Sequence, residues 1–466
     1  MALNFYNSLT RSLEEFKPRA GNSVGIYTCG PTVYDYVTVG NWRTYTLGEL
    51  VARTFSYKGY DVSYYMNITD VGHLTGDNAG DADTGEDRME KAKAREGKNA
   101  WDVADFYTKD FIEGCKKLKL TSVKQLLKAT DHITEQIALV QKLFDAGLAY
   151  KIDDGIYFDT VAYEKLGYKY GELSNLDEIQ AGARVEYNHQ KQNPRDFALW
   201  KFSPESALRD MLWESPWGTG FPGWHIECSA MSMQYLGEQF DIHIGGEDLK
   251  STHHPNEIAQ SQGATGKSPF VSTWLHGAFL QVDGGRMGKS LGNAYKLQDL
   301  EQRGYSPLAL RYFYFTGHYR IPLNFTWESL ESAKNALENL QTAFVMLGTK
   351  TGTIISVYKE KFSAALENDL NMPQALAVIH ELVHDESLSK EDVRATLLDF
   401  DAVLGLGFTE LASFKIPADI QNRISQRDTA RGSCDWNTSD AIRDELISDG
   451  YAVLDTQEGT VVFPKL

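Results

Sequence analysis

Ser23-Val24-Gly25-Ile26-Tyr27-Thr28-Cys29-Gly30-Pro31 sets the architecture of this chain. The run to Thr28 reads as a buried strand, and Gly30-Pro31 turns the backbone at its end. From Tyr45 to Tyr57 the apolar residues recur at helical spacing, and Asp61 to Met66 reads as the next strand. Together they predict a β-α-β unit. A glycine-bearing turn between strand and helix points backbone N–H groups at an anion, which suits the triphosphate of ATP.

Working outward, Cys29 closes the first strand and Gly223-Trp224-His225-Ile226-Glu227-Cys228 brings a second cysteine. His253-His254-Pro255-Asn256-Glu257 adds two metal-type ligands, because His253 and Glu257 sit at i and i+4 and share one face of a helix. An isolated cysteine is more often a small buried hydrophobe, and a lone helical histidine more often packs or caps. Two cysteines, an imidazole and a carboxylate from three elements instead make a set that zinc favours in tetrahedral array. The chain also carries Thr38-Val39-Gly40-Asn41, Gly245-Gly246-Glu247-Asp248-Leu249 and Arg286-Met287-Gly288-Lys289-Ser290, where nucleotide chemistry is expected.

These segments, with CGPTVYDY from Cys29, MNITDV from Met66, FPGWHIECSAMSMQYLGEQFDIHIGGEDL from Phe221, HHPNEIAQS from His253 and GHYRIPLNF from Gly317, resemble the cysteinyl-tRNA synthetases. Those are class I aminoacyl-tRNA synthetases. The resemblance runs from about Asn22 to the C-terminus, and the strings DWNTSDAIRDEL and DTQEGT look like the distal end of that family, so a full-length chain is expected.

The resemblance implies an α/β fold: a Rossmann-like nucleotide-binding catalytic domain split by a connective insertion and followed by a C-terminal α-helical bundle. The expected ranges are 1–120 for the first catalytic half, 121–204 for the insertion and 205–300 for the second half. A stem-contact helical region follows over 301–345, then an anticodon-binding helical region with a small C-terminal piece over 346–466. Within the bundle, Leu330, Ala333, Leu337, Leu340 and Phe344 repeat at helical steps, and Asn371 with Pro373 forms a helix start. Asp70 to Asn99, rich in Gly and charge, reads as an exposed loop and a charged helix start without chemistry.

By the same resemblance the chain joins cysteine to tRNA(Cys). ATP with Mg²⁺ activates the amino acid as cysteinyl-adenylate, which then passes to the terminal ribose. One zinc ion, held by Cys29, Cys228, His253 and Glu257, selects cysteine through its thiolate. An interaction of that kind rejects analogues lacking it by about 10⁴ to 10⁵ without an editing site. Trp224 is expected at the wall of the amino-acid pocket and Thr69 is a weaker candidate there; His254 is a second-layer or nucleotide-side group. Gly40, Asn41, Gly245, Asp248, Arg286, Met287 and Lys289 are expected to bind ATP, with Thr38, Asn41 and Lys289 catalytic.

The chain departs from the family pattern at three positions. Thr38 stands in place of the first histidine, Arg286 of the first lysine and Gly288 of the serine. Arg286 keeps its charge and Gly288 adds loop freedom. Thr38 is a shorter, neutral donor, and losing one transition-state contact costs on the order of 3 kcal/mol, about a hundredfold in rate. The expectation is compensation by a neighbouring histidine, or a slow enzyme. Two rivals stand beside the tRNA reading: a ligase that joins cysteine to a non-tRNA amine, and a catalytically weak paralogue that binds tRNA or cysteine.

Bulk properties set the frame. At 466 residues the length suits about three domains. The net charge of −18 leaves nucleic-acid binding to a local basic track, for which Lys116, Lys117, Lys119, Arg311 and Arg320 are candidates. Four scattered cysteines, Cys29, Cys115, Cys228 and Cys434, build no disulfide framework and fit a reducing cytoplasm. No apolar run approaches the roughly 20 residues of a membrane span, and a monomer is expected.

Overall fold

The computed structural model describes residues 2–72, 87–174, 188–203, 209–288, 291–457 and 459–466. Five parallel strands form the central sheet: β1 (Ser23–Thr28), β2 (Asp61–Ile68), β3 (Gln125–Lys128), β4 (Phe240–Gly246) and β5 (Val271–Gly277), in the order β5-β4-β1-β2-β3. Parallel strands need crossovers, and helix α1 (Val39–Tyr57) supplies the one from β1 to β2. Val39, Trp42, Leu47, Leu50, Val51 and Phe55 form its buried stripe, and Trp42 stacks on Phe111 with centroids 5.3 Å apart. The strand order reverses between β1 and β4, which opens a crevice at their carboxyl ends. Helices α2 (Trp224–Leu236) and α3 (His253–Thr265) flank β4 and bring their first turns to that crevice.

A second, antiparallel sheet of Ala149–Ile152, Gly155–Phe158, Phe197–Phe202 and Gly220–Pro222 has its own core around Leu139, Val140, Leu143, Phe158 and Trp200. Strand pairing cuts across the ranges read from sequence. Gln125–Lys128 pairs with β2 in the central sheet, while Gly220–Pro222 completes the inserted one. The helical pattern over Leu330 to Phe344 folds as Trp327–Met346 with all five apolar residues buried, and Asn371 caps Met372–His384, with Pro373 in its first turn. A last module, Ala418–Gly432, Trp436–Ser448 and the hairpin Tyr451–Thr456 with Gly459–Pro464, packs around Ile420, Ile424, Leu446 and Val462.

The charged stretch before Asn99 yields the helix Arg88–Glu96, capped by Asp87; residues 73–86 of that stretch lie outside the described residues. At the other end of the fold, the N-terminal strand Asn4–Asn7 runs along the β5 edge. Ser8 donates its N–H to Trp274 O at 2.9 Å and Asn7 Nδ2 donates to Ser272 O at 3.0 Å. The same strand ties to the bundle, since Asp369 donates its N–H to Asn4 O at 3.0 Å and accepts from Tyr6 N–H at 2.9 Å. Among the described residues no helix is long and apolar enough to cross a membrane.

Candidate active site at the carboxyl ends of β1 and β4

Cys29 leaves β1 with its N–H bonded to Ile244 O of β4 at 3.1 Å. Residue 30 is glycine because a Cβ there would lie 1.8 Å from Asn67 O, which is backbone and cannot yield. The tight turn sets Cys29 Sγ 3.7 Å from Cys228 Sγ and 3.6 Å from Glu257 Oε1; His253 Nε2 lies 3.1 Å from that same oxygen. Zinc with bonds of about 2.3 Å to sulfur and about 2.1 Å to nitrogen and oxygen demands tetrahedron edges of about 3.8 Å for S–S, about 3.6 Å for S–O and about 3.4 Å for N–O. The separations fit, so the four residues read from sequence make a donor set of the right size and chemistry.

Beneath them lies a layer of imidazoles. His243 Nε2 donates to Glu257 Oε2 at 2.9 Å while its Nδ1 has no partner among the described residues, which assigns the proton to Nε2. His225 Nδ1 and His253 Nδ1 are 2.8 Å apart, so His253 can donate from Nδ1 and leave Nε2 as the ligand atom. His254 approaches Cys29 Sγ at 3.4 Å and joins His276 at 2.8 Å, which reaches Ser8 Oγ at 2.8 Å. A second donor set, Cys29, His243, His254 and Glu257, overlaps the first. It has one sulfur instead of two, and its histidines are already engaged by Glu257 and His276.

Burial and charge act against each other here. Burial alone would raise the Glu257 carboxyl, yet His243 and His253 hold it at about 2. Burial would likewise lower His253, but Glu257 and Cys228 lift it to about 10. The Cys29 thiol is pushed well up by burial, then by Cys228 and Glu257. Burial, then neighbouring imidazoles, pushes His254 well below the usual imidazole range, and burial, then Lys250 and His243, does the same to His276.

Above this floor, a cleft is lined by Cys29, Thr38, Asn41, Trp224, Gly246 and Asp248 among others. Trp224 stands at its wall with its ring 4.3 Å from that of His253. Thr38 caps α1: its hydroxyl donates to Asn41 Oδ1 at 2.7 Å and accepts the Asn41 N–H at 3.4 Å. Gly40 faces Met287, whose Cε would lie 2.1 Å from a Cβ at position 40, so the first and second nucleotide segments touch through a missing side chain.

Other expected residues sit elsewhere. Thr69 is buried below the Cys29 turn, donating to Glu227 Oε2 at 2.7 Å, and does not line the cleft. Gly245 backs onto the His254 ring, leaving Gly246 to face the cleft. Arg286 is exposed on a hairpin outside the lining, and Lys289 lies outside the described residues. The compensating histidine expected near Thr38 is not among the described lining residues; the cation there is Arg88, donating to Tyr34 Oη at 3.1 Å. Sequence reasoning missed His225, His243 and His276. Their signal was density, since five of the 11 histidines fall between 225 and 276.

A crevice at a strand-order reversal over a cysteine-, histidine- and glutamate-bearing floor matches one class of protein in particular. The family model described as the class I (C) tRNA synthetase catalytic domain matches residues 15–335, and a DALR domain matches 361–409. Among solved structures, methionyl-tRNA synthetase of Mycobacterium tuberculosis bound by methionyl-adenylate shares the fold with a TM-score of 0.58 and 15% identity, covering 84% of this chain and 94% of that one. The ternary complex of Agrobacterium radiobacter K84 agnB2 LeuRS with tRNA and LeuAMS does so at 0.61 and 12%, covering 96% and 91%. The fold is therefore that of a class I aminoacyl-tRNA synthetase.

"Cysteine--tRNA ligase 1" of Burkholderia lata is 45% identical over 99% of this chain and 97% of its own length. "Cysteine--tRNA ligase" of Treponema denticola is 39% identical over the whole of both chains. The chain belongs to this family, the cysteinyl-tRNA synthetases, and is an ATP-using ligase.

Proposed function

We propose that the cleft activates cysteine with ATP and transfers it to the 3′-terminal ribose of tRNA(Cys). The observation that carries this reading is the tetrahedral fit of Cys29, Cys228, His253 and Glu257 directly below a cleft whose opposite wall is the capped start of α1. Cys29, Cys228, His253 and Glu257 would hold zinc, which would supply a soft Lewis-acid centre that favours a thiolate over an alcohol or methyl group. Trp224 closes the side of the amino-acid pocket and limits it to a small side chain. The α1 N-terminus, with Thr38 and Asn41, presents N–H groups toward the α-phosphate. Asp248 is set to accept from the ribose hydroxyls. Gly40 and Met287 bring the second loop, with Arg286, toward the departing pyrophosphate; Lys289 is proposed as a further cation for it, and Mg²⁺ would supply the remaining charge neutralisation. Thr69 acts through Glu227 rather than by touching substrate.

The reading extends to a monomer in a reducing cytoplasm, with the helical C-terminal regions gripping the anticodon arm. Cysteine-dependent ATP–pyrophosphate exchange on zinc-loaded protein, with serine as control and tRNA(Cys) supplied next, tests it. Exchange with cysteine alone followed by charging is expected. Exchange without charging would move the acceptor to another amine, and no exchange in folded, zinc-loaded protein would defeat the reading.

A further inference from the structure

Arg43 lies in the opening turns of α1, two residues beyond Asn41, and is 5% exposed. Among the described residues its guanidinium makes no ion pair, although Glu247 lies near enough to favour its charge. Instead Nη1 donates to Ala278 O at 2.7 Å and Phe279 O at 3.0 Å, and Nη2 donates to His318 O at 3.1 Å and Ile321 O at 2.7 Å. A buried charge that meets only neutral carbonyls needs all of them, because each lost acceptor leaves part of a desolvated cation unpaired.

The four carbonyls belong to two strands just before they pair. Residues 278–279 lead into Leu280–Val282, and 318–321 lead into Leu323–Phe325; those strands run parallel, and Leu280–Val282 turns back into Gly285–Arg286. The small sheet that ends in Arg286-Met287-Gly288 is thus clipped at its root by a side chain of α1. The chain beyond the loop is held by the same helix turn. Val39 donates its N–H to Tyr295 O at 2.8 Å, and Thr38 bridges to Lys296. Both approaches to the second nucleotide segment are therefore fixed to the first, and Met287 fills the gap at Gly40 between them.

We propose that Arg43 is a positioning residue for amino-acid activation, fixing the Arg286-Met287-Gly288 hairpin against the start of α1 so that the two nucleotide segments face one another. The proposal rests on the reading of those segments as the ATP site. Lysine cannot serve in its place, since a single ammonium with three donors cannot span four carbonyls on two strands.

The test compares wild type with Arg43→Met and Arg43→Lys. Exchange kinetics are measured with ATP and cysteine varied separately, alongside bound zinc, thermal midpoint and hydrogen exchange of amides 280–287. A displacement of about 1 Å at the reacting groups costs about a hundredfold in rate. Both variants are expected to lose about that much in kcat, to raise the KM for ATP about tenfold, and to exchange the hairpin amides faster. The KM for cysteine and one zinc per chain stay unchanged because the floor is untouched. An unchanged KM for ATP with unchanged hairpin exchange, or full rescue by lysine, overturns the proposal. A lower thermal midpoint with a smaller active fraction but wild-type constants would make Arg43 merely structural, which also overturns it. If the methionine variant does not fold, the lysine variant, which keeps stem and charge, carries the test. Failure of wild type to exchange pyrophosphate defeats the ATP reading itself and is thereby distinguished from failure at Arg43.

Discussion

At the floor of the cleft every ligand-type side chain is buried and held by another buried group: Glu257 by His243, His253 by His225, Cys29 by the turn at Gly30. At the rim the parts meet at their ends. Thr38 holds Asn41 through a cap, Met287 occupies the space over Gly40, and Arg286 stands in solvent on a hairpin. The floor gains accuracy from interlocking hydrogen bonds in a dry interior, where a missing partner is expensive. The rim gains it from backbone placement, which lets the nucleotide loops adjust at little cost. In the function proposed above, selection of an amino acid needs the first arrangement, and passage of ATP and pyrophosphate suits the second.

If that contrast holds, damage to the floor is the more severe. Cys228→Ser removes one of the two sulfurs, and zinc affinity measured by competition with a chelator should fall more than about 100-fold, with cysteine-dependent exchange lost alongside it. His243→Phe keeps the ring stacked 4.6 Å from Trp274 but removes the donor to Glu257. A fall in zinc affinity of about 10 to 100-fold is expected, and an unchanged value would show that the imidazole layer is packing only. At the rim, Gly40→Ala pushes on the mobile end of Met287, so the KM for ATP should rise about tenfold, equivalent to about 1.4 kcal/mol, with zinc retained. Met287→Ala in the same chain should restore most of the loss. A rim substitution that released zinc would break the contrast altogether.

The first two central strands, the bundle stripe and the four candidate floor residues were legible because each is a property of residue type and spacing: apolar runs, i and i+4 pairs, and soft ligand types. Asn371 announced its helix by capping chemistry, with Pro373 in the first turn and an apolar stripe behind it. What escaped was set by three-dimensional neighbours. His243 sits mid-strand, where alternation would put it on the polar face with Asp241; the strand is buried on both faces, and nothing in its pattern hints that Glu257 is its partner. Arg43 reads as one more helical arginine until its four carbonyls, drawn from residues more than 230 positions away, are in place. Thr38 was read as a weakened donor, and its geometry shows a hydroxyl already committed to Asn41. The edges of the insertion slipped because strand pairing, which sequence does not display, assigns Gln125–Lys128 to one sheet and Gly220–Pro222 to the other.

The strand Asn4–Asn7 has a consequence in time. Besides the hairpin strand Ser12–Glu15, its partners include Ser272, Trp274 and Asp369, so this segment is made well before some of the residues it docks on. At about 5 to 20 residues per second, the interval between Ser8 and His276 is roughly 13 to 54 s. Through that interval β5 does not yet exist, and the strand, paired in a hairpin with Ser12–Glu15, leaves its other edge open. Closure of the central sheet is therefore a late event in synthesis, and the Asn4–Asn7 strand takes its place beside β5 only after β5 has been made.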